Sequence, residues 1–392
     1  MAEYFMLLAP RARLTLPWAG ELERIIFEDL DYLVRLLVVP VRPQHGSSRN
    51  SSVSSTDTIG GEKREAQRGR DDSDVHANSS RPHKQIKVHG RNDKVVSNTV
   101  ITLSSLPPEL HLLIFSFIPD IYDVISFGIT NQYFSSIGRE YLDHYIISQF
   151  GQWAGTNIVR VGQYVEPNDY PPGLFTTEEL EVLRQNENEN WDPYEHEPDE
   201  DAYPDTPFTL CHLTYPGMSW RTKSPKSLFH ILYDLRIGCS TRGMLGDPWY
   251  HYIMPKYNGK DETYFPRNQQ WILRNLTTKE IVHSNAIALS PDYIEGPNIR
   301  FLGFGHVVVS RICWSSSPPS PNSGGIPDIT RGVWAGHCFD ITTLSKHEAE
   351  THGEWRDVSD EVAKEIASIW ECVCGSDWRE IIIANGMKQY RR

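Results

Sequence analysis

The feature that most constrains this chain is a nine-residue run, 110–118, in which seven residues are apolar and only His111 and Ser116 interrupt. Pro107 and Pro108 precede it, and Pro119 with Asp120 ends it. A proline pair suits the first turn of a helix, where the missing N–H groups have no intrahelical partner. The spacing predicts a short helix that is greasy nearly all round. Leu110, Ile114 and Ile118 form one stripe with Leu113 and Phe117 beside it, while Leu112 and Phe115 point elsewhere. A second short helix is expected over 123–130, presenting Val124 and Phe127. A third begins near Asn131 and carries Phe134, Ile137, Tyr141 and Tyr145 at steps of three and four. Three helices of this size make a unit too small for a good core. Each Leu, Ile or Phe left in water forgoes about 1.5 to 3 kcal/mol of burial. The surplus is covered either by the rest of the chain or by a separate protein.

Charge narrows the partners. The 392 residues carry a formal net charge of −13. Between Thr176 and Asp205 lie twelve acidic residues and one base, Arg184, a local sum of −11, which leaves −2 for everything else. The acidity is one strip, and its sharper reading is a lure for a basic substrate. No clustered basic face exists, so nucleic acid is disfavoured as the main ligand. No apolar run approaches the roughly 18 residues of a membrane span, and the first residues lack a basic leader followed by a long apolar segment. Neither membrane insertion nor secretion is expected. Six cysteines spread over 211–374 read as thiols in a reducing compartment, cytoplasm or nucleus.

Composition divides the chain into four parts. Residues 1–41 hold one readable element, an amphipathic helix over 21–39 with Leu22, Ile25, Ile26, Leu30, Leu33 and Leu37 on one side; it docks on the protein's own core or grips a partner. Residues 42–99 have nine apolar residues in 58, no aromatic and ten serines, which predicts a disordered linker. Order resumes at 100–150 with the three helices. Ten of the eleven tryptophans then fall between Trp153 and Trp378, so 151–392 reads as a core-forming domain interrupted by an acidic disordered loop, 176–207. Within it we expect a helix over 227–237, a hairpin of 271–276 with 280–288, and β-rich runs at 301–314 and 333–341. Two closing helices are expected, one capped by Ser359 and one by Ser376 that Gly386 terminates. The fold class is α+β.

No catalytic chemistry stands out. His337-Cys338, Cys372-x-Cys374 and Cys313 lack the spacing of a zinc knuckle, and buried thiols are the plainer reading. His337 near Asp340 reads as structural, and Gly303 and Gly305 lack the lysine and third glycine of a phosphate loop. We expect no metal, no cofactor and no catalytic residue, with Trp271, Trp314 and Trp334 in the core.

The segment 103–145 resembles the F-box. The matching elements are Leu106-Pro107, Glu109, the apolar helix Leu110 to Ile118, Asp123 with Val124, and Asn131 with Phe134, closing at Ile137. Gly128 departs from the Ser or Ala common in the second helix, and Thr130 stands where a β-branched apolar residue is frequent. Downstream, the Trp271 to Glu280, Leu302 to Trp314 and Gly332 to Asp340 stretches resemble large filamentous-fungal F-box families. The resemblance implies a non-catalytic substrate receptor of an SCF-type ubiquitin ligase, in which the F-box docks on a Skp-family adaptor tied to a cullin and a RING subunit while the remainder recruits a protein substrate. It implies Leu106, Pro107, Leu110, Ile114, Ile118, Val124, Phe127 and Phe134 as adaptor-facing or supporting residues. An F-box protein acting in assembly or trafficking, and an enzyme whose helices mimic the motif, stay open as alternatives.

Overall fold

The computed structural model describes residues 3–21, 30–42, 102–186, 209–214, 220–255, 263–317 and 329–389. Of the linker expected at 42–99, residues 43–99 lie outside these, as do residues 187–207 of the acidic loop expected at 176–207. Two units divide the chain, Gln44–His111 and the remainder, Met1–Pro43 with Leu112–Arg392.

The larger unit opens on strands where the sequence predicted only a helix. Strand β1 (Tyr4–Ala9) and strand β2 (Leu14–Glu21) pair antiparallel. Between them Arg13, at φ +49°, donates its N–H to the Pro10 carbonyl at 3.1 Å. A register shift between Met6 and Leu8 sets the Pro17 region opposite Leu7, a bulge that accommodates a residue with no N–H to donate. Phe5, Leu7, Leu8 and Ala9 are all buried. A strand packed on both faces shows a continuous apolar run without alternation, which is why the pattern was silent. The helix expected over 21–39 is corrected accordingly: Glu21 ends β2, residues 22–29 are outside the described set, and helix α1 is Asp31–Leu37. Leu33, Leu36 and Leu37 on α1 enter the main core, the self-docking reading.

Three helices follow the linker. Helix α2 spans Pro108–Ser116, α3 Ile121–Gly128 and α4 Gln132–Ser148. Strand β3 (Val159–Gly162) precedes α5 (Thr177–Asn186), which replaces the disorder expected at the start of the acidic tract. Its cause is a reciprocal cap: the Glu179 N–H donates to Thr176 Oγ1 at 3.2 Å and the Thr176 N–H to Glu179 Oε2 at 2.8 Å. Next come β4 (Trp220–Arg221), α6 (Leu228–Thr241) and α7 (Tyr250–Ile253). The predicted hairpin is present as β5 (Trp271–Asn275) and β6 (Glu280–His283), but the chain then turns into α8 (Ser284–Ile287). After a small ribbon of β7 (Ile294–Glu295) and β8 (Asn298–Ile299), the run 301–314 is corrected from strand to helix: α9 is Phe304–Ile312, followed by β9 (Cys313–Trp314). Every residue of α9 is buried, and its three consecutive β-branched valines, 307–309, are what favour the strand reading. The chain closes with β10 (Phe339–Thr343), α10 (Leu344–Glu350), β11 (Arg356–Asp357), α11 (Ser359–Cys374) and α12 (Trp378–Gln389). Ser359 caps nothing; its hydroxyl takes the His283 N–H at 2.9 Å. Nor does Gly386 stop α12, which runs on to Gln389.

The strands form a five-stranded sheet, β4-β2-β1-β3-β9, and a four-stranded one, β10-β5-β6-β11. In the second, Asp340 stands opposite Arg274 and accepts two bonds from it, at 2.7 and 2.6 Å. The protein is α+β, as expected.

Candidate functional site

The three helices α2, α3 and α4 are positioned by caps and by one close packing contact. Asp120 caps α3 by accepting the Tyr122 N–H at 2.8 Å, and Asn131 caps α4 by accepting the Phe134 N–H at 2.9 Å. Arg242, just beyond α6, reaches both Asp120 and Asp123 at 2.9 Å and stacks on the Tyr122 ring, 4.7 Å from its centroid. The Tyr122 N–H, followed by the guanidinium, holds the Asp120 carboxyl below its ordinary range. Tyr122 itself lies over Gly238 of α6, where a Cβ would penetrate the ring. The second helix is therefore fixed by the later domain, not by its own core alone.

Gly128, the departure from the family pattern, has a local reason. A Cβ there would meet Ile253 Cδ1 at 2.5 Å, and a Cβ at Gly138 would come within 3.3 Å of the Gly128 Cα. Two glycines let α3 and α4 cross closely with α7 against them. The helix cost of about 1 kcal/mol for a glycine is offset by that approach.

Inside the trio lies a small apolar cluster of its own: Phe115, Val124, Phe134 and Ile137, edged by Ile118, Phe127 and Tyr141. Phe115 is fully buried, with its ring 4.8 Å from Phe127 and 5.7 Å from Tyr141; Phe127 lies 4.9 Å from Phe134. The Tyr141 hydroxyl donates to the Leu112 carbonyl at 3.0 Å. One side of α2 is thus satisfied. Its other side is not: Leu112 is 45% exposed, Leu113 50% and Phe117 77%. Leu113 and Phe117, four residues apart, share a face.

In the smaller unit, the chain makes a 3-10 turn at Leu103–Ser105 before α2. The Leu106 N–H donates to the Leu103 carbonyl at 3.1 Å, and His111 Nε2 lies 2.8 Å from the same oxygen. Leu106 is half-buried, Pro107 is exposed and Leu110 is 42% exposed.

Of the eight residues implied by the resemblance, the structure brings Val124, Phe127 and Phe134 together around Phe115, with Ile118 at the edge of that cluster. Ile114 is half-buried. Val124 and Phe134 are buried, and Ile118 and Phe127 half-buried. The most open apolar side chains of α2, Leu113 and Phe117, lie outside those eight. With Phe115 facing inward, the helical period turns positions 113 and 117, two residues to either side, outward.

The other residues singled out in the sequence have the following partners among the described residues. His337 Nδ1 lies 2.9 Å from Asn275 Nδ2, and Asp340 is committed to Arg274, so the two form no dyad. Among the described residues no group of three His, Cys, Asp or Glu side chains is placed to hold a metal. The Cys313 thiol is buried, pushed up to about 12 by desolvation, and donates to the Val309 carbonyl. Gly303 and Gly305 serve α9: the Gly303 N–H donates to His306 Nδ1 at 3.1 Å, and Gly305 admits the close approach of Leu30. Trp271 and Trp334 are core residues, whereas Trp314 is half-buried and donates Nε1–H to Asp169. No described helix is long and apolar enough to cross a membrane.

Compared with known proteins, the chain matches no family model, no curated protein and no solved structure.

Proposed function

We propose that this chain is the substrate receptor of an SCF-type ubiquitin ligase, docking on a Skp-family adaptor through α2 and its flanks. The observation that carries the reading is the open face of α2: Leu112, Leu113 and Phe117 stand in solvent although the same helix already has a packed side. Apolar side chains clustered on one short helix mark a protein interface more often than chance exposure. Leu106, Pro107 and Leu110 meet the adaptor as well in this reading, and Phe115 with Val124, Phe127 and Phe134 holds the helix in its pose. No catalytic residue is required, because the receptor acts by bringing substrate and ubiquitin carrier together.

The test is co-purification of the full chain with adaptor and cullin, alongside the double variant Leu113→Glu, Phe117→Glu. Both sites are exposed, so the variant keeps its melting temperature. Buried interface anchors cost about 2 kcal/mol or more when lost, so adaptor affinity falls at least roughly 30-fold. A double variant that binds as tightly as the parent, or a parent that captures neither subunit, overturns the proposal. Adaptor without cullin moves the function to assembly or trafficking.

A further inference from the structure

Between β4 and α6 the chain runs through Thr222, Lys223, Ser224, Pro225, Lys226 and Ser227, in neither helix nor strand. The stretch is pinned at its ends: the Thr222 N–H donates to the Thr15 carbonyl at 2.7 Å, and the Ser227 hydroxyl caps α6. Between the pins, among the described residues, 223–226 makes no backbone–backbone hydrogen bond. Pro225 disfavours helical backbone at the residue before it, and Ser224 is exposed. Its neighbours Lys223 and Lys226 are exposed as well, and Lys226 Nζ donates to Asp234 on α6. No acidic residue occurs from 207 to 233, so 221–226, with Arg221, Lys223 and Lys226, carries +3 on a chain of −13.

Phosphoryl transfer needs the attacking oxygen in line with the leaving one, so a hydroxyl can accept only where a triphosphate and its enzyme can approach from solvent. Ser224 meets that condition. Ser290 and Ser317, which also precede proline, do not: both are half-buried. The Ser290 hydroxyl already accepts the Asp292 N–H at 3.3 Å, and the Ser317 N–H donates to Ser315 Oγ at 3.1 Å. Neither has a lysine or arginine within three positions.

We propose that Ser224 is a phosphoacceptor for a proline-directed protein kinase, and that the phosphate, once attached, takes the Lys226 ammonium from Asp234. In the transfer, Ser224 Oγ bonds to the γ-phosphorus of ATP as the bond to the bridging oxygen breaks; the hydroxyl proton passes to the kinase's catalytic aspartate and ADP leaves. The product adds about −1.5 to −2 of charge and three acceptor oxygens, against the one negative charge of Asp234. The local +3 falls to about +1. The change lies at the amino end of α6, the helix whose Gly238 packs against Tyr122 of α3. The site goes beyond the receptor reading and does not rest on it.

The full chain is incubated with ATP, Mg²⁺ and a purified cyclin-dependent kinase, beside a free peptide of residues 220–230, and phosphate is located by mass spectrometry. Both are expected to be labelled at Ser224, in the chain at least about tenfold faster than at Ser290 or Ser317. Pro225→Ala, checked for an unchanged melting temperature, slows Ser224 labelling at least about tenfold. Label on the peptide alone, label on neither, or equal labelling of Ser290 or Ser317 overturns the site. A ³¹P titration of the phosphorylated chain reads the capture of Lys226, which brings the phosphate's second pKa below its ordinary value of about 6. Lys226→Ala, an exposed change, returns it toward that value; the same titration in parent and variant overturns the capture.

Discussion

Phe115 and Phe117 sit two positions apart on one helix in opposite surroundings, the first enclosed by three aromatic rings and the second almost wholly in water. Their truncations should separate accordingly. Phe115→Ala is expected to destabilise the protein by about 3 to 5 kcal/mol, as lost burial and a residual cavity add, whereas Phe117→Ser shifts stability by no more than about 0.5 kcal/mol; urea unfolding reads both. Asp169 gives a second residue-scale prediction. Arg331 donates two bonds to it at 2.6 Å while stacking on Trp314, and Ser316 adds a third, so the carboxyl titrates below its ordinary 3.8. A lowered carboxyl favours the folded state at every pH above its unfolded value and loses that contribution as the pH falls through the folded one. Asp169→Asn should therefore lower the urea midpoint at neutral pH and narrow the gap between neutral and about pH 3.

At the scale of elements, the contact between α3 and α6 decides whether the three-helix segment holds its shape. Gly238→Ala places a methyl inside the Tyr122 ring, and the flanking bonds to Asp120 and Asp123 leave that ring little room. The expected outcome is a loss of about 1 to 3 kcal/mol, recovered in part by adding Tyr122→Ala; a melting series on the single and double variants checks it. These elements also show what sequence can carry. Helices with an apolar stripe behind a polar start are legible, α4 from near Asn131 and α6 from Ser227, whose hydroxyl accepts the His230 N–H, while α3, expected over 123–130, starts two residues earlier behind Asp120. α9 and β1 are harder to read, since the run Val307 to Val309 favours a strand although α9 is a helix, and Leu7, Leu8 and Ala9 of β1 are buried in succession without alternation. The Thr176–Glu179 cap was written in the sequence yet outweighed by the acidic composition after it. For the candidate site, the existence of the greasy helix was legible, but which side faced inward depended on Phe127, Phe134 and Tyr141 arriving from two later helices.

At the scale of the molecule, the amino-terminal strands are structural centre, not appendage. β1 lies between β2 and β3, and its residues Phe5 to Leu8 pair with Gly162 to Val159. A fragment beginning at residue 102 loses two of the five strands and bares the β3 edge. It should be insoluble or protease-sensitive, and a peptide of residues 1–42 added in trans should restore protection; a fragment stable by itself would contradict the centrality of β1. The same connectivity bears on how the protein is made. Leu8 waits for Val159, 151 positions later, so at ribosomal speeds of about 5 to 20 residues per second the first strands are born roughly 8 to 30 s before their sheet neighbour exists. During that interval the nascent hairpin has its oily flank bare, and the cell's holding chaperones, not the fold, decide whether it survives to be completed.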